Sequence, residues 1–101
     1  MTEKKLQTDI IKLLQSKGAY VLKNDATYRQ GVPDLSFWHP DLSGMIEVKA
    51  HEDSPYQPLQ EKTIQKLENM GIFVRVIYWE NWAEHKANFE QWLDVYPANK
   101  P

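Results

Sequence analysis

The sequence predicts a mixed α/β fold in which one mixed central sheet is flanked by helices. Three observations indicate it: apolar residues recur at helical spacing in three segments, β-branched and aromatic runs lie between them, and glycine, proline or asparagine separates the segments. The predicted order is α-β-β-β-α-β plus a C-terminal helix. A chain of 101 residues, 42% of them hydrophobic, suffices for one core, so we assign 1–96 to a single domain and 97–101 to a polar tail.

The first helix is predicted over residues 3–17, ending before Gly18. Its apolar residues lie at offsets of four, seven and eight, on one helix face: Leu6, Ile10, Leu13 and Leu14. The first strand follows at 19–22, a short apolar run that ends before the turn-forming Asn24.

The next two strands are predicted at 33–39 and 44–50. The turn between them contains Pro40 and Asp41, and the sequence therefore predicts a hairpin.

A second helix is predicted between Pro58, which suits a first helical position, and Gly71. The β-branched and aromatic run 72–79 predicts a well-buried strand inside the sheet. If it lies beside the third strand, the intervening helix makes the pair parallel. A third helix is expected from the apolar spacing of Trp82, Phe89, Trp92, Leu93 and Tyr96.

Composition excludes several classes of function. The chain has no cysteine, which excludes disulfides, zinc–cysteine sites and thiol nucleophiles. Its formal charge of -2 provides no global basic field, so a nucleic-acid partner would have to bind a local basic strip. Neither a signal peptide nor a membrane span is apparent, and we expect a cytoplasmic protein without a membrane partner.

An acidic pair and a lysine carry the predicted chemistry. Residues two apart on a strand share a face, so Glu47 and Lys49 project together. Hairpin pairing can bring Asp34 opposite Glu47. Two close carboxylates repel unless a cation or proton lies between them, and a hard divalent ion binds such a pair together with water and phosphate oxygens. The pattern therefore favours metal-dependent phosphodiester hydrolysis.

Three segments in order resemble the VRR-NUC branch of the PD-(D/E)XK nucleases, whose core is restriction-endonuclease-like. They are 31–35 (GVPDL), 47–49 (EVK) and Gln60, eleven residues before Gly71. Glu3, fifteen residues before Gly18, is similar to the acidic residue that such domains place on their first helix. The resemblance runs from about residue 3 to residue 79.

The resemblance implies a set of roles for these residues. Asp34, Glu47 and the carbonyl of Val48 would ligate Mg²⁺ or Mn²⁺, with no organic cofactor. Lys49 would serve the attacking water, and Gln60 would support the site. It also implies a homodimer that cuts branched DNA, such as four-way (Holliday) junctions or flaps, and small stand-alone members of this kind occur in phages. The alternative is a non-catalytic nucleic-acid- or partner-binding protein that retains the fold.

Simpler interpretations stand beside these roles. Glu47 and Lys49 could form an ion pair on a solvent-exposed strand face, and Asp34 could be a turn residue after Pro33. Gln60 could be an ordinary residue of the second helix, and Glu3 could complement the helix dipole. Possible DNA contacts, or otherwise solvated residues, are Lys23, Tyr28, Arg29, Lys62 and Lys66.

The aromatic residues and histidines also have two interpretations. Four tryptophans are most simply core residues: Trp38, Trp79, Trp82 and Trp92. The side of the last helix that carries Trp82, Phe89 and Trp92 could instead be a dimer surface. At least two of the three histidines are expected at the surface, with His51 notable for its position near Lys49: His39, His51 and His85.

Overall fold

Three helices flank a four-stranded sheet in a computed structural model of the protein, which describes residues 1–25, 30–55 and 58–97. In chain order the elements are α1 (Glu3–Ser16), β1 (Tyr20–Lys23), β2 (Leu35–Trp38), β3 (Ser43–Val48), α2 (Pro58–Asn69), β4 (Phe73–Ile77) and α3 (Trp79–Trp92). The predicted fold class and element order are confirmed. The single-domain assignment of 1–96 stays a prediction, and the predicted tail lies outside the described residues apart from Pro97.

The strands lie in the order β1-β2-β3-β4. Both β1–β2 and β2–β3 are antiparallel, which confirms the hairpin, and β3–β4 is parallel, as a helical crossover requires. The placement of 72–79 inside the sheet was wrong, because β4 is the last strand of this order. Its apolar character reflects cover by helices on its two faces, since α2 and α3 both contact it.

The main core lies between the sheet and the α1–α3 pair. Its buried side chains come from all three components: Leu6, Ile10, Leu14, Leu35, Phe37, Ile46, Val48, Ile77, Phe89 and Leu93. Phe37, Phe73 and Phe89 meet edge to face with ring centroids 6.0 to 6.4 Å apart. Such contacts add to the apolar burial that holds α3 on the sheet.

The opposite face of the sheet, here called the α2 face, is partly polar. Register places Ser36 beside Met45 and Glu47 beside Val76 on this face. Helix α2 packs mainly against β4. The β1 and β2 part of the same face is therefore left partly open, and it carries Tyr20 and Trp38, which pair with each other in the register.

Helix α3 begins at Trp79, three residues before the predicted first apolar position at Trp82. The side chain of Asn81 explains the boundary: its Oδ1 accepts from the Tyr78 N–H at 2.8 Å, and its Nδ2 donates to the Val76 carbonyl at 3.0 Å. Such a cap satisfies backbone groups where the strand stops and the helix starts. Residues 78–79 therefore do not continue the strand.

His39 is buried and is therefore not one of the histidines expected at the surface. Its Nε2 lies 3.0 Å from the Lys17 carbonyl and 2.8 Å from the Asp94 carbonyl, and the Asp41 N–H donates to Nδ1. The ring therefore ties the end of α1 to the segment after α3. His51 is exposed and pairs with Glu80 at 3.5 Å.

The tryptophans divide between core and surface. Trp79 and Trp82 are partly buried and pack against the main core. Trp92 is 43% exposed and meets Phe73 and Phe89 edge to face. Trp38 is 48% exposed, so its assignment to the core was wrong.

Within the described ranges 1–25, 30–55 and 58–97, none of the helices has the length and apolar character needed to cross a bilayer.

Candidate active site

Asp34 directly precedes β2, next to the Leu35–Ile46 pair at the end of the hairpin. Leu35 pairs with Ile46, so the register brings Asp34 across from Glu47. The Val48 N–H donates to Asp34 Oδ2 at 2.8 Å. A hydrogen bond from the backbone of β3 thus fixes the Asp34 carboxylate at the end of that strand.

Glu47 and Lys49 lie on the α2 face, as their spacing predicts. Lys49 Nζ is 3.6 Å from Glu47 Oε2. Glu47 is only 2% exposed and Lys49 only 7%, so the pair is not on a solvated strand face. Burying a carboxylate and an ammonium is costly unless each group is paired and hydrogen-bonded.

Gln60, on the first turns of α2, bridges the two charged side chains. Its Nε2 donates to Glu47 Oε2 at 2.7 Å, and its Oε1 accepts from Lys49 Nζ at 3.0 Å. Lys49 Nζ also donates to the Pro55 carbonyl at 3.1 Å. The interpretation of Gln60 as an ordinary helix residue does not account for these contacts. Pro55 was not anticipated, because a main-chain acceptor leaves no signal in residue type.

One oxygen of the cluster is left without a donor. Glu47 Oε1 is fully buried and has no hydrogen-bond partner within the described part of the chain. Burial, followed by the negative charge of Asp34, raises the pKa of Glu47 to about 7. Burial also raises the pKa of Asp34. Lys49 offsets only part of the repulsion between the two ionised carboxyls, so a shared proton or a bound cation would stabilise the pair further.

Glu3, at the start of α1, lies near enough to the cluster to interact with its charges. Partial burial and then the negative charge of Asp34 raise the pKa of Glu3, while the positive charge of Lys49 lowers it. The Thr2 side chain accepts from the Lys5 N–H at 3.0 Å and caps the helix. Glu3 therefore borders the site electrostatically while its side chain remains exposed.

The donor set suits a hard divalent cation. Among residues 1–25, 30–55 and 58–97, no three His, Cys, Asp or Glu side chains converge on one point. The side chains that could hold an ion are the carboxylates of Asp34 and Glu47, and the carbonyl of Val48 is a further candidate only through the family resemblance. Mg²⁺ usually keeps several waters and is held by one or two carboxylates, so these residues fit it.

The residues expected to contact DNA are not all gathered at this site. Lys62 is exposed on α2, two residues beyond Gln60. Lys23 pairs with Leu35 in the register and belongs to the other face of the sheet from Glu47. Tyr28 and Arg29 lie outside the described residues.

Comparisons with known proteins agree with this architecture. A solved structure described as "VRR_NUC domain" matches with a TM-score of 0.74 and 22% identity, and the match covers 88% of this chain and 94% of that one. That likeness shows the fold. No curated protein matches the chain. A family model described as "VRR-NUC domain" matches residues 1–80, which is most of the chain, and the protein therefore belongs to the VRR-NUC domain family.

Proposed function

We propose that the protein is a metal-dependent nuclease that hydrolyses DNA phosphodiester bonds at the Asp34–Glu47–Lys49 cluster. The observation that carries the proposal is the buried, unpartnered Oε1 of Glu47 beside a second carboxylate. Replacing a buried ion pair with apolar residues of similar volume is often neutral or stabilising, so stability alone gives little reason to keep this cluster. The unpartnered oxygen beside a second carboxylate supports the proposal that a cation binds there.

A divalent ion bound by Asp34, Glu47 and the Val48 carbonyl would supply Lewis-acid chemistry by lowering the pKa of its bound water and by offsetting charge on the phosphate. The hydrogen bond from the Val48 N–H orients the Asp34 carboxylate. The hydrogen bond from Gln60 holds Oε2 of Glu47 and leaves Oε1 available. The protein therefore orients both carboxylates before an ion arrives.

Lys49 places a positive charge beside the same carboxylates. Its ammonium donates to Gln60 Oε1 and to the Pro55 carbonyl, which fixes Nζ near Glu47. A fixed ammonium can orient the attacking water and stabilise the extra negative charge of the pentacovalent phosphate. Gln60 contacts both Lys49 and Glu47, and we assign it a positioning role. Glu3 contributes at the edge of the site through its charge.

The finer proposal is an endonuclease that acts on branched or structured DNA as a homodimer, with Mg²⁺ or Mn²⁺. The support for it is the sequence resemblance described above. A local basic strip would have to attract the substrate, since the net charge is -2.

The test is cleavage of matched linear, flap and four-way-junction DNA in Mg²⁺, Mn²⁺ or EDTA by the wild type, Lys49→Ala and Lys12→Ala. We expect metal-dependent cutting that falls by at least about a hundredfold in Lys49→Ala, the scale of losing a group that stabilises transition-state charge. Lys12, exposed on α1, serves as the matched control and should leave the rate unchanged. Circular dichroism checks that each variant is folded.

Two results would contradict the proposal. Metal-dependent cleavage that persists unchanged in Lys49→Ala would remove the site from the reaction. Binding to DNA without cleavage in any metal would instead support a non-catalytic protein that keeps the fold.

A further inference from the structure

We propose that Asn24 is a positioning residue for Asp34 and sets the orientation in which this carboxylate can hold a metal ion. The inference rests on the proposed function and adds a residue to its site. Asn24 directly follows β1, and the sequence indicates it only as the turn-forming residue that ends the first strand.

Asn24 holds the main chain on both sides of the Asp34 α-carbon. Its own N–H donates to the Asp34 carbonyl at 2.8 Å, and its side-chain Nδ2 donates to the Pro33 carbonyl at 2.8 Å. Because a carbonyl can only accept, the amide nitrogen rather than the amide oxygen of Asn24 faces Pro33. Asn24 therefore fixes the two carbonyls that flank the Asp34 side chain.

The same amide group also bonds the first turn of chain beyond Asp34. Nδ2 donates to Ser36 Oγ at 2.9 Å, and the Ser36 hydroxyl donates back to Asn24 Oδ1 at 3.3 Å. An asparagine that only ended a strand would bond its near neighbours in sequence, whereas Pro33 and Ser36 are nine and twelve residues away. The Asn24 side chain is thus committed to the segment that carries Asp34.

The Pro33 carbonyl depends on a side-chain donor. Pro33 is fully buried, and the pairing of Asn24 with Asp34 is the last main-chain hydrogen bond between β1 and β2 at this end of the sheet, within the described residues. A buried main-chain carbonyl without a donor is costly. Loss of the Asn24 amide would therefore release the residue that immediately precedes Asp34.

The Asp34 carboxylate is held separately, from β3. The ladder between β2 and β3 stops at the Leu35–Ile46 pair. Beyond that pair the Val48 N–H donates to Asp34 Oδ2 at 2.8 Å, so the Asp34 side chain takes the place of a strand acceptor. Since β1 and β3 lie on opposite sides of β2, Asp34 is held by its main chain from one side and by its carboxylate from the other.

The orientation of Asp34 matters because its carboxylate lies beside Glu47. Mg²⁺ tolerates little departure from octahedral geometry, so two carboxylates that share it must both be correctly placed. A movement of the Pro33 and Asp34 carbonyls would displace the Asp34 carboxylate from the Val48 N–H and from Glu47. Asn24 therefore acts on the ion site through Asp34 and not as a ligand.

The test compares Asn24→Ala with Asn81→Ala in Mn²⁺ titrations of the full chain, followed by electron paramagnetic resonance. Asn81 is the matched control, because its amide also bonds two main-chain groups, those of Tyr78 and Val76. We expect Mn²⁺ affinity to fall about 10- to 100-fold in Asn24→Ala and to stay within about twofold of the wild type in Asn81→Ala. The melting temperature should fall in both variants, because each loses hydrogen bonds to main-chain groups.

Asn24→Asp separates orientation from charge. The variant keeps the shape of the side chain but replaces the donor that faces the Pro33 carbonyl with an acceptor. An added negative charge would by itself tighten the binding of a cation. We expect weaker Mn²⁺ binding instead, because the new carboxylate and the Pro33 carbonyl repel each other and displace Asp34. Tighter Mn²⁺ binding by Asn24→Asp would overturn the inference.

A measurement without metal reports the position of Asp34. In EDTA, hydrogen exchange of the Val48 amide is slowed by its bond to the Asp34 carboxylate. We expect this exchange to be at least about tenfold faster in Asn24→Ala and unchanged in Asn81→Ala. This readout requires neither a bound ion nor cleavage.

Unchanged exchange at Val48 in Asn24→Ala would overturn the inference, whatever the metal titrations show. An equal loss of Mn²⁺ affinity in Asn24→Ala and Asn81→Ala would also overturn it, because Asn24 would then act only through general stability. Faster exchange at Val48 in Asn24→Ala, together with a wild type that binds no Mn²⁺, would keep Asn24 as the residue that positions Asp34 and reject the metal-dependent nuclease.

Discussion

Replacing Glu47 with glutamine should stabilise the metal-free protein at neutral to alkaline pH while it abolishes cleavage. The substitution keeps the shape of the side chain and an oxygen that can accept from Gln60 Nε2. It removes the charge that burial and Asp34 disfavour.

The size of the effect follows from the pKa of Glu47. The folded protein raises this pKa from 4.5 to about 7, so between those values the folded state binds more protons than the unfolded state. Stability contributed by the protonated carboxyl is fully present below 4.5 and is lost as the pH rises through about 7. At 1.36 kcal/mol for each pKa unit, the loss is about 3 kcal/mol, a large share of the stability of a small domain.

Urea unfolding in EDTA, near pH 4.5 and again above pH 7, measures this difference for the wild type and Glu47→Gln. We expect the advantage of Glu47→Gln to grow by about 3 kcal/mol between the two conditions. Glu90→Gln, an exposed change on α3, provides the control for removing a surface carboxylate. An advantage that is the same at both pH values would refute the conclusion that the folded protein disfavours the ionised form of Glu47.

Two further changes test how the site is built. Gln60→Ala should lower metal affinity or cleavage about 10- to 100-fold, which is the usual cost of losing a group that orients a ligand. The control is Gln65→Ala, an exposed change on α2 that should have no effect. Equal rates for the two variants would show that Gln60 has no positioning role. Gly31→Ala should destabilise the protein and slow cleavage more than Gly71→Ala does, as measured by melting temperature and cleavage rate. Both glycines have a positive φ, 86° and 83° respectively, so both substitutions strain the backbone. Of the two, only Gly31 would bring a new Cβ against backbone, at 2.9 Å from the Leu59 carbonyl oxygen. A Gly71→Ala variant that is equally impaired would show that the contact between residue 31 and α2 is unimportant.

Local patterns predicted most of the elements. The apolar spacing of Leu6, Ile10 and Leu14 on α1 and the turn before β3 depend on neighbours in sequence, and both predictions hold. The edge position of β4 could not be predicted in this way. An apolar run reports how much of a strand is buried, and helices can bury it as well as flanking strands can.

Part of the site could also be predicted from residues that are neighbours in sequence. The spacing of Glu47 and Lys49 determines that they share a face, and the hairpin determines that Asp34 lies across from Glu47. Their burial depends on where α2 crosses the sheet. The double contact of Gln60 depends on the same crossing, which no short-range pattern encodes.

Exposure of the aromatic residues also depends on the position of α2. Trp38 belongs to a strand rich in apolar residues, which favours a core assignment. It remains exposed because α2 packs mainly against β4 and leaves the end of β1 and β2 that carries Tyr20 and Trp38 open. Lys23 was expected to contact DNA, but strand alternation places it on the other face of the sheet from Glu47.

The central claim is that Asp34 and Glu47 together hold a divalent ion, and direct Mn²⁺ binding tests it most simply. Titration of the full chain with Mn²⁺, followed by electron paramagnetic resonance above pH 7, should show binding by the wild type and its loss in both Asp34→Asn and Glu47→Gln. Added Mn²⁺ should accordingly raise the melting temperature of the wild type and leave that of the two variants unchanged. Undiminished Mn²⁺ binding by Glu47→Gln would place the ion elsewhere and contradict the account.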